Sequence, residues 1–263
     1  MLLLPALLLL LTLLPLFPAN AGDGRIEINQ ARALAGGVSA SDTPGFPVTI
    51  SGPGSYLLTS DLVVPANLSG IFGVNDAVDI TLDLNGFSIS GPVTCSGTPL
   101  SCSASGPVPG IRFFGGENVE IRNGTIRGFA GDGVQVLGAV ANCSAQGLRV
   151  TENGGDGIKM GTVGENARID GNVVTHNLEI GIDADNNSKV SNNVVSSNGG
   201  DQLHIESGTY AEGNVLSGTT ALDTGLSTGS AVSGYRNNLI RGSVIGNGVD
   251  MGGNLCDGST TCP

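Results

Sequence analysis

The chain is poor in aromatic residues and in positive charge. None of its 263 residues is tryptophan, three are tyrosine, and aromatic residues make up 4%. Clefts that hold a long polysaccharide usually offer aromatic faces on which sugar rings stack, so this composition disfavours such a cleft. The 11 basic residues against 23 acidic ones give a formal charge of −12, which repels nucleic acid and anionic lipid. We therefore expect neither as a partner.

The N-terminal segment predicts export. Residues 2–17 are almost wholly apolar, and Ala-Asn-Ala at residues 19–21 fits a small-x-small cleavage site, so residues 1–21 are typical of a secretory signal peptide. The alternative is an uncleaved anchor, which the short run and its two prolines disfavour. We expect a mature protein that begins near Gly22, is secreted or periplasmic, and has no membrane insertion after cleavage.

Five cysteines fit an oxidising compartment. Cys95 and Cys102 flank a short Pro/Ser/Gly-rich stretch, and Cys256 and Cys262 flank another at the C-terminus, so we expect both pairs to be disulfides. Cys143 remains, in a column of small apolar residues, where a buried and inert thiol is expected.

A short sequence motif recurs every 21 to 24 residues from Ile126 onward. The last apolar residue of the first strand in each repeat forms one column: Ile89, Ile126, Val150, Val174, Val195, Leu216 and Ile240. The apolar residue after the glycine that opens the second strand forms another: Ile111, Val134, Ile158, Ile182, Leu203, Leu226 and Val249. Such a period predicts a solenoid, and short alternating strands between Gly/Asn turns favour strands over helices.

The expected fold is an all-β, right-handed parallel β-helix of about seven coils, with a short N-terminal capping helix over residues 29–35. The chain then divides into an N-terminal cap with the initial coils (22–75), the β-helix repeats (76–255) and a C-terminal disulfide cap (256–263). The repeats contain one insertion, at residues 91–109, which carries the first cysteine pair.

Asparagine recurs at two corners of the predicted coils. One column is Asn172, Asn193, Asn214 and Asn238, and the other is Asn153, Asn177 and Asn198. Asparagine tolerates the left-handed backbone of a corner, and its amide can bond the equivalent amide of the next coil. We interpret both columns as structural ladders, and the alternative is ligand binding through the amides.

The segment Leu82–Gly91 resembles the opening segment of bacterial right-handed parallel β-helix repeat proteins. Coils such as Gly155–Ile158 and Gly171–Val174 are similar to pectate-lyase-like and nitrous-oxide-accessory-protein-like repeats. The resemblance spans roughly residues 48–255 and implies the fold. It implies no single function, because this fold carries polysaccharide lyases, hydrolases, epimerases and adhesins.

The catalytic motifs of these enzymes do not recur. The Asn-Thr-Asp, Asp-Asp, Gly-His-Gly and Arg-Ile-Lys motifs of polygalacturonase-like hydrolases are missing, and Arg168–Asp170 reads Arg-Ile-Asp. The Arg-x-Pro-x-x-Arg pattern of pectate lyases and the Asp-Pro-His motif of mannuronan epimerases are missing too. No active site carries over by motif.

Alternation predicts which side chains point outward. The row on the second strand is Arg112, Gln135, Lys159, Asp183, His204, Ser227 and Asp250. Its consecutive members Lys159, Asp183 and His204, with His176 from a nearby turn, could perform general acid–base chemistry on a sugar or uronide. The alternative is a solvated row whose opposite charges stabilise the sheet.

Two further groups are candidates for binding. The row on the first strand is Asp83, Glu120, Ser144, Arg168, Lys189 and Tyr210, and its last three members could form a shallow binding face. Asp132 and Asp156 precede glycine at equivalent corners and could hold Ca²⁺, although two ligands are few. We therefore expect no cofactor, with calcium as the alternative.

These observations favour an exported structural or surface-binding protein without catalysis, whose ligand could be a polysaccharide or cell-surface glycan. The alternative is a divergent carbohydrate-active enzyme, a polysaccharide lyase or glycoside hydrolase acting on acidic glycans. An enzyme should have long loops over its polar row, and the chain has one long insertion. The oligomeric state is left open.

Overall fold

The computed structural model describes residues 24–74, 78–161, 166–218, 223–257 and 262. The expected signal peptide (1–21) lies outside these residues, as do residues 258–261 and 263 of the expected C-terminal cap. None of the helices formed by the described residues has the length and apolar character needed to cross a membrane.

Most coils contribute three short strands, so the described residues form three parallel sheets, whereas the sequence predicted two strands per coil. Sheet 1 consists of Arg25–Ile28, Gly54–Leu58, Val78–Asp83, the middle of Ile111–Arg127, the start of Ser144–Thr151, Arg168–Asp170, Lys189–Ser191, Tyr210–Glu212, Gly234–Arg236 and Val249–Asp250.

Sheets 2 and 3 complete each coil. Sheet 2 consists of Leu62–Val63, Ser88–Ser90, the ends of Ile111–Arg127 and Ser144–Thr151, Val173–Thr175, Val194–Ser196, Val215–Ser217, Leu239–Arg241 and Leu255–Cys256. Sheet 3 consists of Val48–Ile50, Ile71–Gly73, the start of Ile111–Arg127, Val134–Ala141, Ile158–Met160, Ile182–Ala184, Leu203–Ile205, Thr224–Thr228 and Ser243–Gly246. The described residues make about eight turns, close to the seven expected.

The core runs along the axis between the sheets. The first apolar column is in register along sheet 2, and each of its members is at most 1% exposed. Cys256 extends this column past Ile240 and forms the expected disulfide with Cys262. Cys143 is a buried free thiol, as expected, and burial raises its pKa.

The structure has the expected short N-terminal helix. The helix Gln30–Ala35 begins after Asn29, whose side chain accepts a hydrogen bond from the Arg32 backbone N–H, and ends at Gly36 with φ of 75°. Ala33 is fully buried against the first coils. The sequence did not predict the strand Arg25–Ile28, which comes before this helix in the chain and belongs to sheet 1.

The sequence assigned Val249 and Asp250 to the wrong sheet. Val249 and Asp250 pair with Gly234 and Tyr235 in sheet 1, so the last sheet 3 positions belong to residues 244 and 245. The last coil turns directly from Leu239–Arg241 into Ser243–Gly246 through Gly242 (φ 117°), which shortens the spacing assumed for a regular coil.

The outward row of sheet 1 is displaced by two residues at its start. Asp83 pairs with Arg122, and Thr81 pairs with Glu120, so Asp83 belongs to the neighbouring outward row. The corner between sheets 1 and 2 is two residues longer in this coil, because Asp83 and Ile89 are six residues apart whereas their register partners Arg122 and Ile126 are four apart.

Both asparagine columns are buried hydrogen-bonded ladders. In the first, each side-chain amide donates to the side-chain oxygen of the next coil at 3.0–3.1 Å, and this ladder continues to Asn254. In the second, Asn153, Asn177 and Asn198 bond in the same way, and Gln202 ends the ladder by accepting from Asn198. The first corner requires a positive φ before each asparagine, which Gly171 (68°) and Asn192 (58°) illustrate.

Candidate functional site

The outward face of sheet 3 brings Lys159, Asp183 and His204 together. The three are register partners on successive strands, as the parallel stacking of the coils requires. They line a depression of about 420 Å³ together with Gly161, Ile180, Asp185, Asp201, Glu206 and Ser227. His176 is exposed at a preceding corner and does not line this depression.

Lys159 is held between two carboxylates. Its Nζ lies 2.8 Å from Asp183 Oδ2 and 2.9 Å from Asp156 Oδ2, and the Asp156 side chain is only 3% exposed. Burial alone lowers the pKa of Lys159, but hydrogen bonds and charge attraction from Asp183 and Asp156 outweigh it and raise that pKa. The ammonium therefore links two coils, and it is a poor proton acceptor at neutral pH.

His204 joins a hydroxyl to a carboxylate. Its Nδ1 lies 2.9 Å from Ser227 Oγ, and its Nε2 lies 3.0 Å from Glu206 Oε1. Ser227 is the register partner of His204, and Glu206 follows His204 by two residues on the same face. Sequence alternation placed Ser227 in the outward row but gave no reason to connect it with Glu206.

The depression carries more negative than positive charge. Asp185 and Asp201 add to Asp183 and Glu206, and the side chains of Asp185 and Asp201 have no hydrogen-bond or ion-pair partner among the residues that the structure describes. Burial raises the pKa of Asp185, and the charges of Asp183 and Glu206 raise it further. Because Asp185 and Asp201 have no partner among the described residues, their carboxylate oxygens can accept hydrogen bonds from a ligand.

Sequence reasoning missed Asp185, Asp201 and Glu206, although part of the signal was present. Asp185 and Glu206 lie two residues after Asp183 and His204, so the same alternation continues beyond the buried Ala184 and Ile205. Asp201 lies on a corner, where alternation does not apply. Only the stacking of the coils brings it to the rim of the depression.

The corner carboxylates Asp132 and Asp156 are used inside the solenoid. Asp132 Oδ1 accepts from the Asp156 backbone N–H at 2.8 Å, and Asp156 Oδ1 accepts from the Ile180 backbone N–H at 2.8 Å. Burial raises the pKa of Asp132, and the charge of Asp156 adds to the rise. Within the described ranges, no three His, Cys, Asp or Glu side chains are grouped to hold a metal, and calcium binding stays a prediction.

Arg168, Lys189 and Tyr210 follow one another in register on sheet 1, a different face. Arg168 pairs with Asp170 at 3.1 Å, and Lys189 lies 3.7 Å from Glu212. The Glu212 carboxylate also binds Arg236, whose guanidinium lies 5.6 Å from the Tyr210 ring. The positive charges of this row are thus largely compensated by carboxylates of the adjacent outward row.

The insertion lies away from the sheet 3 depression. Cys95–Ser96 and Ser101–Cys102 form an antiparallel hairpin closed by the expected disulfide. The segment bonds to the corner between sheets 2 and 3 through Gly106 N–H to Ala130 O and Gly131 N–H to Val108 O. Its disulfide sulfurs contact Asn153 O, and it does not line the depression around His204.

Comparison with known proteins supports the fold. Residues 93–221 match the family described as the right-handed beta helix region. No curated protein sequence matches this chain.

Three solved structures share a distant likeness. The Dettilon tailspike protein is 14% identical with a TM-score of 0.31, and the match covers 74% of this chain and 43% of that one. Tailspike protein 2 of the Escherichia coli O157:H7 bacteriophage CAB120 is 12% identical with a TM-score of 0.28, over 76% of this chain and 35% of that one. The A-module of an Azotobacter vinelandii mannuronan C-5 epimerase is 16% identical with a TM-score of 0.29, over 90% and 80%.

This chain thus spans less than half of either tailspike. TM-scores of 0.28–0.31 are too low for these structures to indicate a ligand or an activity of this chain. The family match and the three stacked sheets, by contrast, agree with each other and with the resemblance seen in the sequence. The described residues thus form a parallel β-helix, and residues 93–221 match the right-handed beta helix family.

Proposed function

We propose that this protein is an exported surface-binding β-helix whose sheet 3 depression binds a neutral or amino-bearing glycan. The observation that carries the proposal is the set of carboxylates in that depression, two of which, Asp185 and Asp201, have no partner among the described residues. Export rests on the expected signal peptide and is supported by two disulfides, which form and persist in oxidising compartments.

The chemistry of the depression favours hydroxyl and ammonium groups. Ionised carboxylates are acceptors only, and hydrogen bonds to a charged group contribute about 1.5–3 kcal/mol each, more than those between neutral groups. Successive strands lie about 4.8 Å apart, so Asp183 and His204 offer a regular series of polar contacts to a chain of hydroxyls. The volume of about 420 Å³ is in the range of ordinary ligand sites.

The same charges disfavour acidic glycans, which the enzyme alternative from the sequence required. A uronate would meet Asp183, Asp185, Asp201 and Glu206, and the ammonium of Lys159 is already bound by Asp183 and Asp156 at 2.8 and 2.9 Å. The cations of sheet 1 offer little more, because Arg168 and Lys189 are paired with carboxylates.

Glycan binding is tested by isothermal calorimetry with galactomannan, dextran, a chitosan oligomer and polygalacturonate. We expect binding to at least one neutral or amino-bearing glycan and none to polygalacturonate. The double variant Asp185→Asn/Asp201→Asn should weaken this binding about tenfold or more, because it removes two charged acceptors. The matched control Glu27→Gln/Glu117→Gln removes the same charge from exposed positions outside the depression and should change little.

Preferential binding of polygalacturonate would contradict the proposal. So would equal loss of affinity in the control, since that would make the effect one of overall charge.

A further inference from the structure

Ser227, His204 and Glu206 form a chain of hydrogen bonds on the sheet 3 face. Ser227 Oγ lies 2.9 Å from one imidazole nitrogen, and Glu206 Oε1 lies 3.0 Å from the other. The backbone holds this arrangement, because His204 and Ser227 are register partners on adjacent strands. Ser227 is 8% exposed and lines the depression, so its hydroxyl borders the space available to a ligand.

The arrangement can activate the hydroxyl. When Nε2 of His204 carries the proton and donates it to Glu206, Nδ1 is left with a lone pair that can take the proton of Ser227. A nucleophile next to a base that a third group orients is the arrangement used for covalent acyl transfer. Here the hydroxyl faces Nδ1 and the carboxylate faces Nε2, and either nitrogen can act as the base.

We propose that Ser227, His204 and Glu206 are a catalytic set that hydrolyses a carboxylic ester carried by a glycan in the sheet 3 depression. The glycan part of this inference rests on the proposed function. Ser227 and His204 are the catalytic residues, and Glu206 is a positioning residue.

The surroundings of Ser227 indicate the class of ester. On one side lies the polar row that begins with His204, and on the other lies Ile245, its register partner on the last strand of sheet 3, which is 47% exposed. The acyl group would rest on Ile245 and the sugar on the carboxylates. The four carboxylates disfavour an anionic acyl group, so a short neutral acyl group such as acetyl fits best.

The reaction balances with water as the only co-reactant. Ser227 Oγ bonds to the carbonyl carbon while its proton passes to Nδ1 of His204. The bond from that carbon to the sugar oxygen then breaks, and the sugar oxygen takes the proton from Nδ1. Water next attacks the acyl-serine by the same route, which releases a carboxylic acid and restores the Ser227 hydroxyl.

The direct test uses the unmodified mature protein and a fluorophosphonate probe. Attack by Ser227 would form an Oγ–P bond and expel fluoride, leaving a stable adduct that peptide mass spectrometry can locate. We expect one adduct per chain, on Ser227. An adduct elsewhere, or none, would overturn the catalytic assignment without any variant having to fold.

Variants then separate the roles through p-nitrophenyl acetate hydrolysis and probe labelling. Ser227→Ala should abolish both, and His204→Gln should lower both rates about 100-fold or more. Glu206→Gln should lower kcat about tenfold with KM and the urea midpoint of unfolding both unchanged; a matching fall in that midpoint would overturn the positioning role. Ser196→Ala removes an outward hydroxyl of sheet 2 and should leave both rates unchanged.

Glycan binding by calorimetry distinguishes the two proposals. Binding without a Ser227 adduct overturns the esterase and leaves the proposed function standing. An adduct without glycan binding overturns the proposed function, and with it the assignment of the ester to a glycan.

Discussion

The asparagine ladders and the sheet 3 depression are both columns of polar side chains along one solenoid. In the ladders the residue type is repeated, the side chains are at most 4% exposed, and the amides are satisfied by neighbouring coils. In the depression the residue changes from coil to coil, from Lys159 to Asp183 to His204, and two carboxylates have no partner among the described residues.

The contrast separates the structural polar groups of a repeat from its functional ones. A buried polar group is costly unless it is hydrogen-bonded, so a corner inside the solenoid must repeat the residue that satisfies its neighbour. The outward face has no such constraint, because water can satisfy its groups. Variation in an outward column is therefore where a ligand site can develop.

The largest expected effect comes from interrupting a ladder. In Asn193→Leu, Asn172 loses the acceptor for its backbone and side-chain N–H groups, and the Ile169 carbonyl loses a donor. Each buried unsatisfied group costs about 1–3 kcal/mol, so we expect a loss of about 3–5 kcal/mol in the free energy of unfolding by urea. The control Asn186→Leu, at a partly exposed turn, should change it by less than about 0.5 kcal/mol.

A smaller effect is expected from Lys159→Met, which leaves Asp156 and Asp183 without their cation. We expect a loss of about 2–3 kcal/mol in the free energy of unfolding, since removing one partner of a buried ion pair leaves the other charge buried without compensation. The control Lys189→Met removes a 54% exposed lysine 3.7 Å from Glu212 and should cost under about 1 kcal/mol.

The effect of Lys159→Met should depend on pH in one direction. The native pKa of Lys159 is raised above its unfolded value of about 10.4, so the contribution of the ammonium is fully present below that pH and is lost as pH rises through the native pKa. Unfolding curves at pH 7 and 9 should therefore show the same penalty, and the penalty should shrink above about pH 10.5. A penalty that changes between pH 7 and 9 would contradict the paired ammonium.

The smallest effect, of opposite sign, is expected from Asp185→Asn. The native pKa of Asp185 is raised by burial and by Asp183 and Glu206, so its ionised form is disfavoured in the folded state at pH 7. Replacement should increase stability by a few tenths of a kcal/mol, because solvent screens this partly exposed group. The gain should vanish below about pH 3, where Asp185 is protonated in both the folded and the unfolded protein. A loss of stability at pH 7 would show that the Asp185 carboxylate stabilises the fold.

The apolar and asparagine columns could be predicted from sequence because stacked coils force one residue type into one place. Spacing alone placed Ile126 above Val150 and Asn172 above Asn193, and the sheets and hydrogen bonds place them so. The same reasoning failed where the spacing changes. Because the last coil is short, Val249 lies in sheet 1 and not in sheet 3. The first ladder ends at Asn254, only 16 residues after Asn238, and the second ends at Gln202, which is not an asparagine.

The site was less predictable, because its members share neither a column nor a residue type. Lys159, Asp183 and His204 could be grouped by alternation along one row, but Glu206 lies in the next outward row and Asp201 on a corner. Which nitrogen of His204 faces Ser227 depends on side-chain positions that no pattern in the sequence encodes.

One paired measurement tests the central contrast most directly. For Asp185→Asn/Asp201→Asn and the unmodified protein, urea unfolding and glycan calorimetry are performed on the same preparations. We expect the double variant to unfold at an equal or slightly higher urea concentration and to bind the glycan about tenfold more weakly or worse. A double variant that loses stability while keeping its glycan affinity would show that these carboxylates belong to the scaffold, as the ladders do.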